Sequence, residues 1–319
     1  MWICIVILLI VSLPFLVNWL YKVLVLSKTQ EYHIKRGAKK KNAYSILSFG
    51  SSYARYAFDF SESGVKGYNF GLMPQFLYYT NKMVVDYVNS CKPGAYIAIV
   101  LPDLVFGEPG KGKYGADRYA LLLSKMAQGD EYSLYKELFV KRFPLLKPSL
   151  HNLKKCIKDI HRIPKEYREY KLMHNEFTEG QVDEAAQRRC NDWIKEFHLK
   201  DTQSDIVPKE LEGKMAECRQ ILTDIIDFCL AKGLRPVLVV TPVSGVMNSH
   251  LSDAFMKKVL YDNIEMANKQ NVPALDYMRD KRFAEADYYC NSADLLNQRG
   301  RRLFTNIVVK DIIKAYERA

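Results

Sequence analysis

Four short apolar runs constrain the fold of this chain more than any other feature. They are YSILSFG (44–50), AYIAIVLPDLVFG (95–107), RPVLVVTPV (235–243) and VPALDYM (272–278). Runs this short and rich in Val and Ile read as strands, and continuous rather than alternating hydrophobicity means that both faces are covered. Between them lie longer amphipathic segments, QFLYYTNKMVVDYVNSC (75–91), MAECRQILTDIIDFCLAKG (215–233) and DAFMKKVLYDNIEMANKQN (253–271), and RRLFTNIVVKDIIKAYERA (301–319) closes the chain. Strands alternating with helices predict an α/β fold with a doubly wound parallel sheet. In such sheets chemistry gathers at the C-terminal strand ends, where GSS, PDLVFG and TPVSG fall.

The first 21 residues, MWICIVILLIVSLPFLVNWLY, carry no charge. About twenty apolar residues span a hydrocarbon core as a helix, and Trp2, Trp19 and Tyr21 stand where interfacial aromatics belong. A cleaved signal peptide is the competing reading; it calls for a basic start, a shorter apolar core and a small-residue cleavage site. The expected organisation is a transmembrane anchor at 1–21, a basic juxtamembrane linker at 22–43, and an α/β domain at 44–319. That domain is interrupted at about 145–212 by charge-rich helical text, such as LKKCIKDIHRIPKEYREYKLMHNEF, read as a helical insertion over one rim.

Net charge is +11, from 47 Lys and Arg against 36 Asp and Glu. This favours an anionic neighbour, either a membrane surface or an acidic polymer. Nucleic acid is disfavoured, because neither zinc-finger spacing nor an RNP-like aromatic motif accompanies the basic residues. Lys22, Lys28, Lys35, Arg36, Lys39, Lys40 and Lys41 all follow the anchor, which by the positive-inside rule keeps the domain cytoplasmic. The seven cysteines lack CxxC pairs, so neither a disulfide framework nor a metal site is expected. No cofactor is indicated: GEPGKGKY (107–114) approaches a phosphate-binding loop, but Tyr114 replaces its magnesium-binding Ser/Thr.

In FGSSYAR (49–55) an apolar strand turns directly into a helix. The first side chain of such a turn stands above the sheet edge, so Ser52 is a candidate nucleophile; Ser51 or Ser52 as a helix N-cap is the plainer alternative. The blocks ILSFGSSYARYAFD, GYNFGLMPQFLYY and YYCNSADLLNQRGRRLFT together resemble the SGNH/GDSL hydrolase superfamily. They are most similar to its membrane-anchored branch, which includes the D-alanyl transfer protein of teichoic acid synthesis and partners of membrane-bound O-acyltransferases. The resemblance spans most of residues 43–319 outside the insertion.

It implies a flavodoxin-like three-layer domain, an extracytoplasmic location, and partners among membrane lipid, a membrane-bound O-acyltransferase and an anionic envelope polymer. It places Ser52 at the nucleophile, with Gly50, Ser51, Asn69, Gly71, Asp103 and Asn297 around the substrate pocket. It also exposes gaps. The position of the general-base histidine holds Leu295, and that of its aspartate holds Ser292, beside Asp294. The oxyanion positions fall near Pro74 and Pro102, and proline has no N–H. A serine hydroxyl needs a base to attack at neutral pH. The substitutes are His250, after the VLVVTPV strand, and Asp294, an inherently weak base; His33 is juxtamembrane, and His151, His161, His174 and His198 lie in the insertion. The expectation is a degenerate site with an accessory or binding role. The alternative is an O-acyltransferase or esterase using Ser52 with a base from elsewhere.

Overall fold

The computed structural model describes residues 2–112, 116–171, 178–290 and 292–318. Tyr114 and His174 lie outside them. The elements used below are α1 (Trp2–Leu24), α2 (Gln30–Ala38), β1 (Tyr44–Phe49), α3 (Ser52–Ala57), β2 (Gly67–Asn69), α4 (Leu77–Tyr87), β3 (Cys91–Leu101), α5 (Leu150–Lys171), α6 (Glu179–Glu196), α7 (Lys209–Ala231), β4 (Arg235–Val240), β5 (Ala274–Asp276) and α8 (Gln298–Glu317). The chain divides into two compact units, Met1–Lys39 with Lys113–Leu172, and Lys40–Gly112 with Met173–Ala319. The helical text at 145–212 is therefore shared between them, α5 in the first unit and α6 in the second.

In the first unit, α1 is a helix long and apolar enough to cross a membrane. Leu13, Leu16, Trp19, Leu20 and Val23 are exposed. One edge is anchored: Asn18 Nδ2 donates to the Arg142 carbonyl at 3.2 Å and Asn18 Oδ1 accepts from the Leu145 amide at 3.1 Å. Tyr21 and Val25 pack with Cys156 and Ile163 of α5. The stretch expected as a linker is partly folded, because Thr29 caps α2 by accepting from the Tyr32 amide at 3.4 Å.

The second unit is an α/β layer structure. Its five described strands are all parallel, in the order β2-β1-β3-β4-β5. The register pairs Leu47 with Ile97, Ile99 with Leu238, and Val239 with Leu275. Ala98, Val100, Val237 and Val239 point to one face, where Tyr53, Ala54 and Ala57 of α3 and Phe304, Val308 and Ile312 of α8 cover them. The alternating residues Ile97, Ile99, Leu101, Leu238 and Val240 are buried on the other face, the side on which α7 packs against β4, α4 and the helix Asp262–Ala267. Each large aliphatic or aromatic side chain so buried contributes roughly 1.5–3 kcal/mol. The chain leaves β1 outward to β2 and then crosses back to β3, so the C-terminal ends of β1 and β3 form the switch point of the sheet, where ligands bind in such folds.

Candidate functional site

Ser52 reaches this switch point because β1 stops at Gly50. There φ is +148°, and a Cβ would meet the Val100 carbonyl oxygen at 3.0 Å, so only glycine turns the chain here without strain. Ser51 takes the N-cap position of α3 but its hydroxyl makes no capping bond; it is buried without a hydrogen-bond partner among the described residues. Ser52 is the first helical residue and is half-buried.

Two of the residues expected at the pocket act instead behind it. Asn69 Nδ2 donates to the carbonyls of Ala54, Arg55 and Phe58 at 2.8, 3.3 and 2.9 Å, and its Oδ1 accepts from the Gly71 amide at 2.8 Å. A Cβ on Gly71 would fall on the Arg55 amide nitrogen. Asn69 and Gly71 thus clamp α3 against the end of β2. Asn297 likewise serves the fold, capping α8 by accepting from the Gly300 amide at 3.0 Å and donating to the Tyr289 carbonyl at 3.2 Å.

A cavity of about 220 Å³ opens at the switch point. Gly50, Ser51, Ser52 and Asp103 line it, as do Pro74 and Pro102, which offer no N–H. Helix α6 supplies Arg189, Trp193 and Glu196 to the same wall, and Phe197 follows directly after it. The Arg189 guanidinium lies 5.1 Å from the centre of the buried Trp193 ring, a cation–π contact that fixes its direction.

Three lining residues, Tyr53, Asp103 and Arg189, join Asp294 in a polar cluster. Tyr53 Oη is 3.1 Å from Asp103 Oδ1 and hydrogen-bonds Asp294 Oδ2. Arg189 Nε donates to Asp294 Oδ2 at 3.1 Å, and Arg189 Nη2 donates to Tyr53 Oη at 3.3 Å. Ser292 Oγ donates to the other oxygen of Asp294. Tyr53, Asp103 and Asp294 are all buried. Burial, and next the negative charge of Asp294, push the Asp103 carboxyl up to about 7. Burial, and next the Asp103 charge, raise the Tyr53 phenol well above its ordinary range, so it remains a protonated donor. Asp103 Oδ1 accepts from the Leu104 amide at 3.1 Å, while Oδ2 is buried without a partner among the described residues.

Asp294, a weak candidate base from sequence, is therefore engaged by Tyr53, Arg189 and Ser292. Its neighbour Leu295 packs on the apolar cluster around Tyr289 and Phe304. His250 lies elsewhere: its Nε2 is 2.9 Å from Asp183 Oδ1, and it is not among the residues lining the cavity. The lining, among the described residues, contains no imidazole, and no group of three or more His, Cys, Asp or Glu among them could hold a metal ion.

Sequence reading missed Tyr53, Arg189 and Trp193. The only signal for the latter two is their spacing of four on a helix whose Val182, Ala186 and Cys190 are buried. No protein-family model matches the chain, and no curated protein matches it significantly.

Proposed function

We propose that this chain is a single-pass, membrane-anchored protein with an SGNH-like α/β domain that serves cell-envelope glycan or lipid O-acylation as a binding partner rather than as the catalyst. The supporting observation is the make-up of the switch-point cavity. Among the described residues, Ser52 lines it without an imidazole beside it, and two other lining residues, Ser51 and Asp103, each hold a buried oxygen, Oγ and Oδ2, that has no partner there. Buried polar atoms are nearly always hydrogen-bonded, so these two suit a hydroxyl-bearing ligand, and Trp193 adds an apolar wall. A hydroxyl-rich acceptor polymer, held for a membrane-bound O-acyltransferase, fits that chemistry. The anchor on α1 and an extracytoplasmic domain belong to the same reading.

One observation favours the catalytic alternative. A carboxyl near 7 is a far better proton acceptor than an ordinary aspartate, and Asp103 lines the cavity that Ser52 lines. In that reading ionised Asp103 takes the Ser52 proton as Ser52 Oγ attacks the carbonyl of an acyl ester, and the donor's alcohol leaves with that proton, so Ser52 carries the acyl group. Treating the detergent-solubilised full chain with a fluorophosphonate and mapping adducts by mass spectrometry separates the two. The binding role predicts no adduct at Ser52; an adduct there that Asp103→Asn abolishes establishes the alternative.

A further inference from the structure

Helix α5 presents an apolar stripe that nothing among the described residues of its own unit covers. Leu150, Leu153, Ile157 and Ile160 follow at intervals of three and four, which aligns them on one side of the helix. They are 80%, 47%, 56% and 47% exposed. Along one flank of this stripe the helical period places Lys154, Lys158 and Lys165, all exposed. On the other flank Cys156 and Ile163 are buried against Tyr21 and Val25.

That last contact fixes the depth at which α5 sits. About twenty residues of helix cross the hydrocarbon, so a span beginning at Trp2 leaves it near Tyr21. Helix α5 is thus tied to the end of α1 at the level where apolar lipid gives way to headgroups. Lys22 is at the same level, and its ammonium donates to the Arg142 carbonyl at 3.2 Å. A helix with an apolar stripe, a lysine flank and this position has the build of a segment lying in a membrane interface.

We infer that α5 is a second membrane contact, an interfacial helix that inserts Leu150, Leu153, Ile157 and Ile160 between lipids and sets Lys154 and Lys158 against anionic headgroups. The inference rests on the anchor reading of α1. The lysine flank is what selects an anionic lipid surface over an apolar groove on a partner protein, which would leave the row of ammonium groups without counter-charge.

The test uses the full chain with Cys4→Ser and Ile157→Cys carrying a nitroxide, since the other six cysteines are buried. It is reconstituted into phosphatidylcholine vesicles with or without phosphatidylglycerol. Flotation reports the anchor; collision of the nitroxide with oxygen and with a water-soluble nickel chelate reports α5. The expected result is a floating chain whose residue 157 is shielded from the chelate, more so with phosphatidylglycerol. Lys154→Gln and Lys158→Gln are each expected to lower the ratio of shielded to open chains by about five-fold. A floating chain whose residue 157 stays open to the chelate overturns the interfacial helix alone and leaves the stripe to a protein partner. A chain that does not float overturns both readings.

Discussion

The Tyr53 hydroxyl stands 3.1 Å from Oδ1 of Asp103 while also hydrogen-bonding Oδ2 of Asp294. A phenol has one hydrogen to give, so it cannot serve two ionised carboxylates. A proton on Asp103 resolves the conflict: Asp103 donates to the Tyr53 oxygen, Tyr53 donates to Asp294, and the Arg189 guanidinium balances the Asp294 charge. The value of about 7 for Asp103 agrees with this arrangement.

A pH dependence of stability follows. The folded pKa of Asp103 lies above its unfolded value near 4, so the folded state holds the proton more tightly. This contribution is fully present below about pH 4 and is lost as pH rises through about 7. Asp103→Asn keeps the shape and supplies an amide donor in place of the proton. Its stability relative to wild type is expected to increase from pH 5 to pH 8, by about 2.5 kcal/mol. Urea unfolding at the two pH values measures this, and an equal difference at both would show Asp103 ionised throughout.

Removing the bridging hydroxyl tests the cluster from its centre. Tyr53→Phe leaves Asp294 with one donor fewer and brings the two carboxyl groups face to face without a mediator. We expect a loss of about 1–3 kcal/mol, larger at pH 8 than at pH 5. A loss below about 0.5 kcal/mol at both would mean that the hydroxyl is dispensable.

Two neighbouring polar residues should behave oppositely. Asn69→Ala removes four hydrogen bonds that hold α3 against β2, and is expected to cost about 2–4 kcal/mol. Ser52→Ala deletes a half-buried hydroxyl with no side-chain partner among the described residues, and is expected to fall within about 0.5 kcal/mol of wild type. Thermal or urea midpoints decide between this ordering and its reverse.

Those contrasts show what could be read from sequence. The strands around Leu47, Ile99 and Val239 announced themselves because a sheet covered on both faces needs unbroken apolar runs, and Ser52 and Asp103 followed from their places just beyond two strand ends. Asn69, Gly71 and Asn297 stand near the ends of elements as well, but their roles depend on which carbonyls and amides the fold brings within reach, and no local pattern records that. Arg189 was hidden more deeply. In the charge-rich helix it looks like any solvated arginine, and only the position of Asp294, 105 residues on, makes it a partner. Helix α2 was obscured because its basic residues read as juxtamembrane chain, although Thr29 had the chemistry of a cap.

The most direct test of the proposed role is turnover of an aryl acetate by the full chain between pH 6 and pH 9, compared with Ser52→Ala. An unactivated Ser52 predicts the same slow rate for both proteins at every pH. A wild-type rate exceeding that of Ser52→Ala by about a hundredfold or more, rising with an apparent pKa near 7, would contradict it and make Ser52 and Asp103 a working pair.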